Sequence, residues 1–217
     1  MRVFKFGGAS VNSAQAVVNM ASIVKSYYGD PLVVVVSAMG KSTNKLETLV
    51  PGVKPAIEQK FILQELKAYH QEIVLDLIPD ATDPIYVRLD ELFSQLEQRI
   101  AQRPTDYNFD YDQVVSFGEI ISTTIISHYL NHIGLNNQWV DVRELIATDT
   151  NYREGHVDWQ KTQENISAHL STSTARLIIT QGFIAGTPYA SITSRLVDCE
   201  IATTLSALII LVPYFQS

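Results

Sequence analysis

Three apolar runs along the chain predict the strands of a parallel sheet. Residues 31–37 (PLVVVVS) and 176–181 (RLIITQ) are apolar without alternation, which is typical of strands buried on both faces. A third run, residues 3–6 (VFKF), is also apolar but contains a lysine. An unpaired charge is costly in a buried sheet, so Lys5 is the first residue whose position requires a physical reason.

Between these runs the apolar positions recur at helical spacing. The helical patterns span residues 13–28, 56–78, 84–102, 118–133 and about 158–170. Ser13 and Asp158 stand where N-caps are expected, and a short further strand is predicted at 138–142. The alternation of strands and helices predicts an α/β fold with parallel strands. The two patterns within 56–102 are interpreted as a helical insertion.

Composition and charge exclude several classes of function. The 217 residues include 23 acidic and 16 basic side chains, which give a net charge of −7. Binding of DNA or RNA requires clustered positive charge, so no nucleic-acid partner is predicted. The longest apolar run, 207–212, is far shorter than the roughly 20 residues that span a bilayer, which predicts a soluble chain with no membrane partner. Cys199 is the only cysteine and no signal-peptide pattern occurs, so a cytoplasmic location is expected.

The lysine of the first strand stands next to a glycine pair in KFGGAS, residues 5–10. Lys5 can extend to solvent, pair with a carboxylate, or face an anionic ligand at the strand end. Gly7 and Gly8 favour the ligand, because residues without a Cβ let backbone N–H groups approach closely. The segment from Ser10 is expected to lead into a helix whose N-terminus attracts negative charge. An edge lysine beside a tight turn explains the pattern equally well.

A second glycine-containing loop follows the 31–37 strand. Its sequence, SAMGKST at 37–43, contains Gly-Lys-Ser but lacks the first glycine of a Walker A loop, since that position is Val35. Ser37 and Thr43 nevertheless follow the carboxyl end of a parallel strand, where open α/β sheets bind ligands. A capped turn between strand and helix is the alternative.

Two further segments carry candidate site residues. Glu119 falls in the first turn of a predicted helix, where the helix dipole favours a carboxylate; the functional alternative is a carboxylate that binds a substrate ammonium group. Gly182 and Phe183 follow the last strand, where a plain turn and a ligand-contacting loop both fit. His128 and His132 have a spacing that suits a metal, but no third ligand is evident and no metal site is predicted.

Five segments occur in an order that points to one enzyme family. They are KFGGAS at 5–10, VVVVSAMGKSTNKL at 33–46, SFGE at 116–119, VDVRELIATD at 140–149 and TQGFIAGTP at 180–188. In this order they closely resemble aspartate kinase, within the amino acid kinase superfamily. The resemblance implies a three-layer α/β/α sandwich with a mainly parallel central sheet. It also implies phosphorylation of the L-aspartate β-carboxylate by MgATP, the first step toward lysine, threonine and methionine.

The same resemblance implies roles for individual residues. The expected phosphate-binding residues are Lys5, Gly7, Gly8 and Ser10, and the expected aspartate-binding residues are Ser37, Thr43, Glu119, Gly182 and Phe183. Lys5 is expected to act catalytically by facing the phosphoryl group in transfer. Glu119 is expected to hold the substrate amino group and the hydroxyls of Ser37 and Thr43 its carboxylates. The implied ligands are L-aspartate and ATP, with Mg²⁺ carried by ATP.

The chain departs from the family pattern at two places. Ala9 stands where the family usually has a threonine, in KFGGTS. Residues 1–188, with the insertion at about 56–102, are expected to form the aspartate-binding part, whereas residues 189–217 form an atypical tail. A shifted reading frame, a truncation and a natural short relative are the open explanations of this tail, and turnover by the chain is left open with it.

Alternatives remain open for the function and the assembly. A non-catalytic protein that keeps the aspartate pocket, or a kinase of another small carboxylate or of UMP, is the alternative to an aspartate kinase. A partial sheet leaves an unpaired strand edge and exposed apolar faces, which predicts association of copies as a homo-oligomer such as a dimer.

Overall fold

A four-stranded parallel sheet forms the centre of the computed structural model, which describes residues 2–188 and 193–195. The strands are β1 (Arg2–Phe6), β2 (Leu32–Val36), β3 (Gln138–Trp139) and β4 (Leu177–Gln181). Their spatial order is β1-β2-β4-β3, and every neighbouring pair is parallel. A separate antiparallel pair is formed by β5 (Ile184–Gly186) and β6 (Thr193–Arg195). The predicted α/β class with a mainly parallel sheet is confirmed.

Helices connect the strands. They are α1 (Ala14–Lys25), α2 (Ser42–Glu47), α3 (Ala56–Leu77), α4 (Pro84–Ile100), α5 (Tyr107–Val115), α6 (Phe117–His132), α7 (Val142–Leu145) and α8 (Trp159–Thr172). The Ser13 hydroxyl accepts the backbone N–H of Ala16 at 3.2 Å, and the Asp158 carboxylate accepts that of Lys161 at 2.9 Å. Both predicted N-caps are therefore confirmed. No helix in the described part of the chain is long and apolar enough to cross a membrane.

The order of the strands accounts for three layers. The connections from β1 to β2 and from β2 to β3 cross the sheet in one direction, whereas the connection from β3 to β4 returns in the other. Because such crossovers are right-handed, α1 and α6 lie on one face and α8 on the opposite face. Helix α6 packs against β2, β3 and β4.

Burial follows position in the sheet. Every residue of β2 and β4 is buried, because both strands have neighbours on either side and helices over their faces. Strand β1 is only half-buried, since within the described residues it pairs with β2 alone. The register aligns Lys5 with Val35 and Val35 with Thr180. The carboxyl ends of β1, β2 and β4 therefore finish at one edge of the sheet.

The helices predicted within 56–102 form as α3 and α4, which pack against each other. Helix α3 also contacts α1, and α4 contacts α6, so the pair covers the helical layer on one face. The division of the chain into a part at 1–188 and a tail at 189–217 stays a prediction. Of that tail, residues 189–192 and 196–217 lie outside the described residues.

The strand predicted at 138–142 was too long, and helix α5 was missed. The strand predicted at 138–142 ends at Trp139, because Asp141 accepts the backbone N–H of Arg143 at 3.0 Å and starts α7. Helix α5 was not predicted, because its buried face includes Asp110 and Asp112 and so lacks an apolar period.

Candidate active site

The loops that follow β1 and β2 meet at the carboxyl edge of the sheet. The backbone N–H of Gly40 donates to the carbonyl of Gly8 at 3.0 Å, and the N–H of Ser37 donates to Phe6 at 3.1 Å. A Cβ on Gly8 would overlap the carbonyl oxygen of Ala38 and lie 2.9 Å from that of Gly40. Only glycine permits this approach, so Gly8 is required for the two loops to touch.

The ammonium of Lys5 lies over the glycine loop. Its Nζ is 3.3 Å from the point where a Cβ on Gly7 would stand, so the absence of that Cβ leaves room for the side chain. Within residues 2–188 no carboxylate oxygen lies within 4.0 Å of this ammonium. Of the three options for Lys5, pairing with a carboxylate is therefore absent from this part of the chain. The Lys5 ammonium lies at the carboxyl edge of the sheet without such a partner.

The approach to α1 differs from the expected one. Residues Gly8–Val11 form a 3₁₀ turn, closed by a hydrogen bond from the Ser10 N–H to the Gly7 carbonyl at 2.8 Å. Helix α1 begins only at Ala14, and the Ser13 side chain already caps its N-terminus. Ser10 is exposed on this turn. The anion-attracting helix end predicted directly after Ser10 is thus replaced by a turn.

Helix α6 holds the loop after β2 from the other side. Glu119 is 2% exposed, and its Oε1 accepts the backbone N–H of Ala38 at 3.2 Å. One turn further on, the Ser122 hydroxyl donates to the carbonyl of Ser37 at 2.8 Å. A Cβ on Gly118 would lie 2.8 Å from that of Ala38, so this glycine lets the helix approach. A buried carboxylate therefore stands at the same loop as Ser37.

A strained turn follows β4. The N–H of Gly182 donates to the carbonyl of Val36 at 3.2 Å, and the N–H of Ile184 donates to Gly182 at 2.9 Å. Between them Phe183 is buried with φ 73°, as in the strained form of the γ-turn. Such a backbone costs of order 1–3 kcal/mol and clusters at functional sites. The turn brings Gly182 beside Ser37, whose Oγ is 4.0 Å from the point where a Cβ on Gly182 would stand.

The last substrate-binding candidate, Thr43, lies half-buried in the first turn of α2. Its neighbour Ser42 is buried, and the Ser42 hydroxyl donates to the carbonyl of Met39 at 2.6 Å. This bond closes the loop from β2 into α2. The position of Thr43 therefore depends on the hydrogen bond between Ser42 and Met39 that fixes this loop.

Sequence reasoning missed two residues of α3 that contact this loop. Tyr69 donates its hydroxyl to the carbonyl of Asn12 at 2.7 Å and stands over Gly40. The Nε2 of His70 lies 3.5 Å from the Ser42 hydroxyl. Tyr69 falls at an apolar position of the 56–78 pattern, and a tyrosine there is the signal that could have been used, because its hydroxyl needs a hydrogen-bond partner where its ring packs.

His70 is neutral at physiological pH. The pKa of the imidazole is lowered to about 4, mainly by burial and also by the nearby Lys45, although a hydrogen bond to the Leu66 carbonyl acts in the opposite direction. Since a carbonyl only accepts, Nδ1 donates to the Leu66 oxygen at 2.8 Å. The Nε2 that faces Ser42 is therefore the acceptor nitrogen of the ring.

The predicted residues converge on one edge of the sheet, with the histidine pair elsewhere. Contacts between neighbouring loops join most of the candidates: Lys5, Gly7, Gly8, Ser37, Glu119 and Gly182. His128 of α6 instead contacts the N-cap of α4, with its Nε2 2.6 Å from the carboxylate of Asp83. In the described residues no group of three His, Cys, Asp or Glu side chains has the arrangement of a metal site.

Comparison with known proteins places the chain in a family. The model of the amino acid kinase family matches residues 1–212. The chain belongs to the amino acid kinase family. Matched residues thus extend well past the last strand of the parallel sheet, and the three-layer fold is that of this family.

Several aspartokinases are similar to this chain. Aspartokinase 1 of Arabidopsis thaliana is 38% identical over 156 residues, which are 68% of this chain and 26% of that protein. Bifunctional aspartokinase/homoserine dehydrogenase 2 of Escherichia coli is 28% identical over 151 residues, 68% of this chain and 18% of that protein. The resemblance to aspartate kinase drawn from the five segments is confirmed.

A solved structure matches nearly the whole chain. Aspartokinase III of Escherichia coli, in complex with aspartate and ADP, superposes with a TM-score of 0.83 at 27% identity. The match covers 96% of this chain and 46% of that one. The chain therefore spans about half of the solved relative and about a quarter of the first curated relative.

Proposed function

We propose that this amino acid kinase chain forms the aspartate-binding and phosphoryl-facing part of an aspartate kinase. The proposed reaction transfers the γ-phosphoryl group of MgATP to the β-carboxylate of L-aspartate. One observation carries the proposal: the Lys5 ammonium lies over the Gly7 loop, at the sheet edge where the buried Glu119 holds the adjacent loop.

Lys5 provides the charge that phosphoryl transfer requires. In the transition state negative charge spreads over the equatorial oxygens of the transferred group, and a cation fixed beforehand stabilises it without reorganisation. The absence of a carboxylate partner for Lys5 within residues 2–188 supports this role, because a paired ammonium is less available to a phosphate. Gly7 leaves room for the Lys5 ammonium itself, and Gly8 lets the loop after β2 pack against the loop after β1.

The neighbouring loops supply complementary groups for aspartate. Glu119 is proposed to bind the substrate ammonium, with the hydroxyls of Ser37 and Thr43 toward its carboxylates. Burial supports the choice of Glu119, since a carboxylate that is 2% exposed interacts with a cation more strongly than one in water. Gly182 and the strained Phe183 are proposed to border this pocket beside Ser37.

The chemistry is a single displacement at phosphorus. An oxygen of the aspartate β-carboxylate bonds to the γ-phosphorus as the bond to the β,γ-bridging oxygen breaks, which gives an acyl phosphate and ADP. Mg²⁺ enters bound to ATP and offsets the charge of its phosphates. Lys5 and the backbone of the two glycine loops orient the group in transfer, and no proton has to move.

Assembly and location complete the proposal. We expect a homodimer, because β1 pairs on one side only within the described residues and leaves backbone groups available at the sheet edge. A cytoplasmic location remains the expectation for a chain with a single cysteine.

The test is ADP release from MgATP by the purified 217-residue chain, with and without L-aspartate. The chain's affinity for aspartate is measured in parallel by calorimetry. Aspartate-dependent release is the expected result. Release that is equal without aspartate, or faster with glutamate, acetylglutamate, carbamate or UMP, would contradict the substrate assignment.

Aspartate binding without ADP release would support a different function, a non-catalytic aspartate-binding protein. Absence of both from well-folded chain would contradict the proposed site as a whole. The two measurements together therefore separate the carboxylate pocket from the phosphoryl-transfer chemistry.

A further inference from the structure

We infer that Tyr69 of α3 is a positioning residue that locks the loop after β1 against the loop after β2. The inference rests on the proposed function, in which the first loop faces the phosphoryl group and the second faces aspartate. Tyr69 would thereby set the distance between the two reacting groups without touching either one.

A single hydroxyl contacts both loops. The Tyr69 OH donates to the carbonyl of Asn12, at the end of the 3₁₀ turn that follows the glycine pair, with an O···O distance of 2.7 Å. The same oxygen is 2.7 Å from the point where a Cβ on Gly40 would stand. It therefore rests directly on the backbone of the second loop while it is bonded to the first.

Gly40 is shaped for this contact. Its φ of +57° is a conformation that side chains rarely adopt, and its N–H donates to Gly8 at 3.0 Å. Gly40 thus meets the first loop on one side and the tyrosine hydroxyl on the other. A side chain at position 40 would displace that hydroxyl.

The next residue of α3 contacts the same loop. His70 is fully buried, and its Nε2 faces the Ser42 hydroxyl at 3.5 Å, two residues beyond Gly40. The rings of Tyr69 and His70 meet edge to face, with centroids 5.0 Å apart. One turn of α3 therefore contacts the second loop at two points, which gives the helical insertion a role in shaping the site.

The functional consequence concerns turnover more than binding. Each loop keeps its own ligand contacts when Tyr69 is altered, but the distance between the loops is less restricted. Displacement at phosphorus is sensitive to misplacement of about 1 Å, so kcat should fall while the aspartate affinity stays nearly constant.

Tyr69→Phe tests the inference, because it removes the hydroxyl and keeps the ring. The matched control is Tyr86→Phe on α4, whose hydroxyl also donates to a backbone carbonyl, that of Ile78, at 2.7 Å. Hydrogen exchange of the Gly40 amide reports the loop junction directly and needs no activity. We expect exchange to accelerate roughly fivefold or more in Tyr69→Phe and to be unchanged in Tyr86→Phe.

A second variant tests the contact with Gly40. Gly40→Ala alone places a methyl group against the hydroxyl, whereas in Tyr69→Phe the nearest ring atom is Cζ at 3.5 Å, an ordinary contact. The fall in Tm caused by Gly40→Ala should therefore be smaller in the Tyr69→Phe background. Equal falls in both backgrounds would show that the hydroxyl does not press on Gly40.

The outcomes separate this inference from the proposed function. Unchanged Gly40 exchange in Tyr69→Phe would overturn the inference whether or not the chain phosphorylates aspartate. Faster exchange in a chain that neither binds aspartate nor releases ADP would keep the loop lock and reject the proposed function. Where wild-type turnover is measured, a lower kcat at constant aspartate KM in Tyr69→Phe is the expected split, and a raised KM at constant kcat would contradict it.

Discussion

The two edges of the central sheet differ in how their charged groups are paired. At the amino edge a cavity of about 430 Å³ lies beside the starts of β2 and β4. Its charged groups have partners, since Asp30 pairs with Arg2 and the Arg176 guanidinium donates to the carbonyl of Gly29 at 3.0 Å. At the carboxyl edge, by contrast, Lys5 meets no carboxylate within residues 2–188.

Strain shows the same difference. Phe183 is buried with φ 73° at the carboxyl edge, a backbone conformation that costs on the order of 1–3 kcal/mol. The proposed site therefore lies away from the cavity. The proposal rests on the charge of Lys5, which has no carboxylate partner within residues 2–188, on close backbone approach and on strain, at the edge where the loops of open α/β sheets bind ligands.

The largest expected effect is at Lys5. Lys5→Ala should lower the rate of aspartate-dependent ADP release by roughly 10²-fold or more, by analogy with removal of one preorganised donor. The exposed Lys60 on α3 offers the matched control, and Lys60→Ala should leave the rate unchanged. Near-normal turnover of Lys5→Ala would contradict the proposed role of Lys5 in phosphoryl transfer at the carboxyl edge.

Glu119 should show the next largest effect. Glu119→Gln keeps an oxygen that accepts the Ala38 N–H but removes the charge, so the dissociation constant for aspartate should rise roughly 10- to 100-fold. Calorimetric titration measures the constant. Glu58→Gln, an exposed carboxylate on α3 paired with Lys54, serves as the control. An unchanged constant for Glu119→Gln would place the ammonium site elsewhere.

His70, which contacts the loop after β2, should make the stability of the fold depend on pH. Its pKa is about 4 in the folded chain and 6.5 ordinarily, so between these values the unfolded state binds a proton that the folded state does not. The free energy of unfolding should therefore fall as the pH drops through 6.5, by roughly 2 kcal/mol at pH 5, and this loss should be complete below about pH 4. Urea unfolding at pH 7 and pH 5 measures it.

The control for this pH dependence is another histidine. His70→Gln should reduce the loss between pH 7 and pH 5, whereas His156→Gln, whose side chain is 70% exposed, should retain it. Equal losses in both variants would assign the acid sensitivity to other groups.

The smallest effect is expected at the amino edge. Thr174 is exposed and lines the cavity, so Thr174→Trp should fill part of the space without disturbing the core. The aspartate dissociation constant should change less than about twofold, because the cavity lies at the opposite end of the strands. A large loss of affinity would reverse the comparison and assign the ligand to the amino edge.

Much of the fold could be predicted because it depends on local spacing. The β2 and β4 strands are continuous apolar runs, as two-sided burial requires. The side chains of Ser13 and Asp158 cap helices by accepting backbone N–H groups only three residues further along the chain. Helix α5 could not be predicted in this way. The carboxylate of its buried Asp110 accepts hydrogen bonds from the Arg99 guanidinium and from the N–H of Thr105. A pattern of apolar positions does not predict such contacts.

The residues of the candidate site also differ in whether the sequence alone could identify them. Lys5, Gly8 and Glu119 stand in short motifs that can be recognised without a fold. The role of Tyr69 could not be recognised in this way, because its hydrogen-bond partner Asn12 is 57 residues away in the sequence. The two residues meet only once α3 packs beside the loop after β1.

The sequence by itself therefore determined the main strands, the helices with an apolar period, the caps at Ser13 and Asp158, and the motifs that relate this chain to the aspartokinases. Tertiary structure alone decided which residues face one another at the sheet edge: Gly8 with Gly40, Glu119 with Ala38, and Tyr69 with Asn12. The physical reason is the distance along the chain over which each interaction acts. Periodicity and capping act within a few residues, whereas the loops converge only when distant segments bury their apolar faces together.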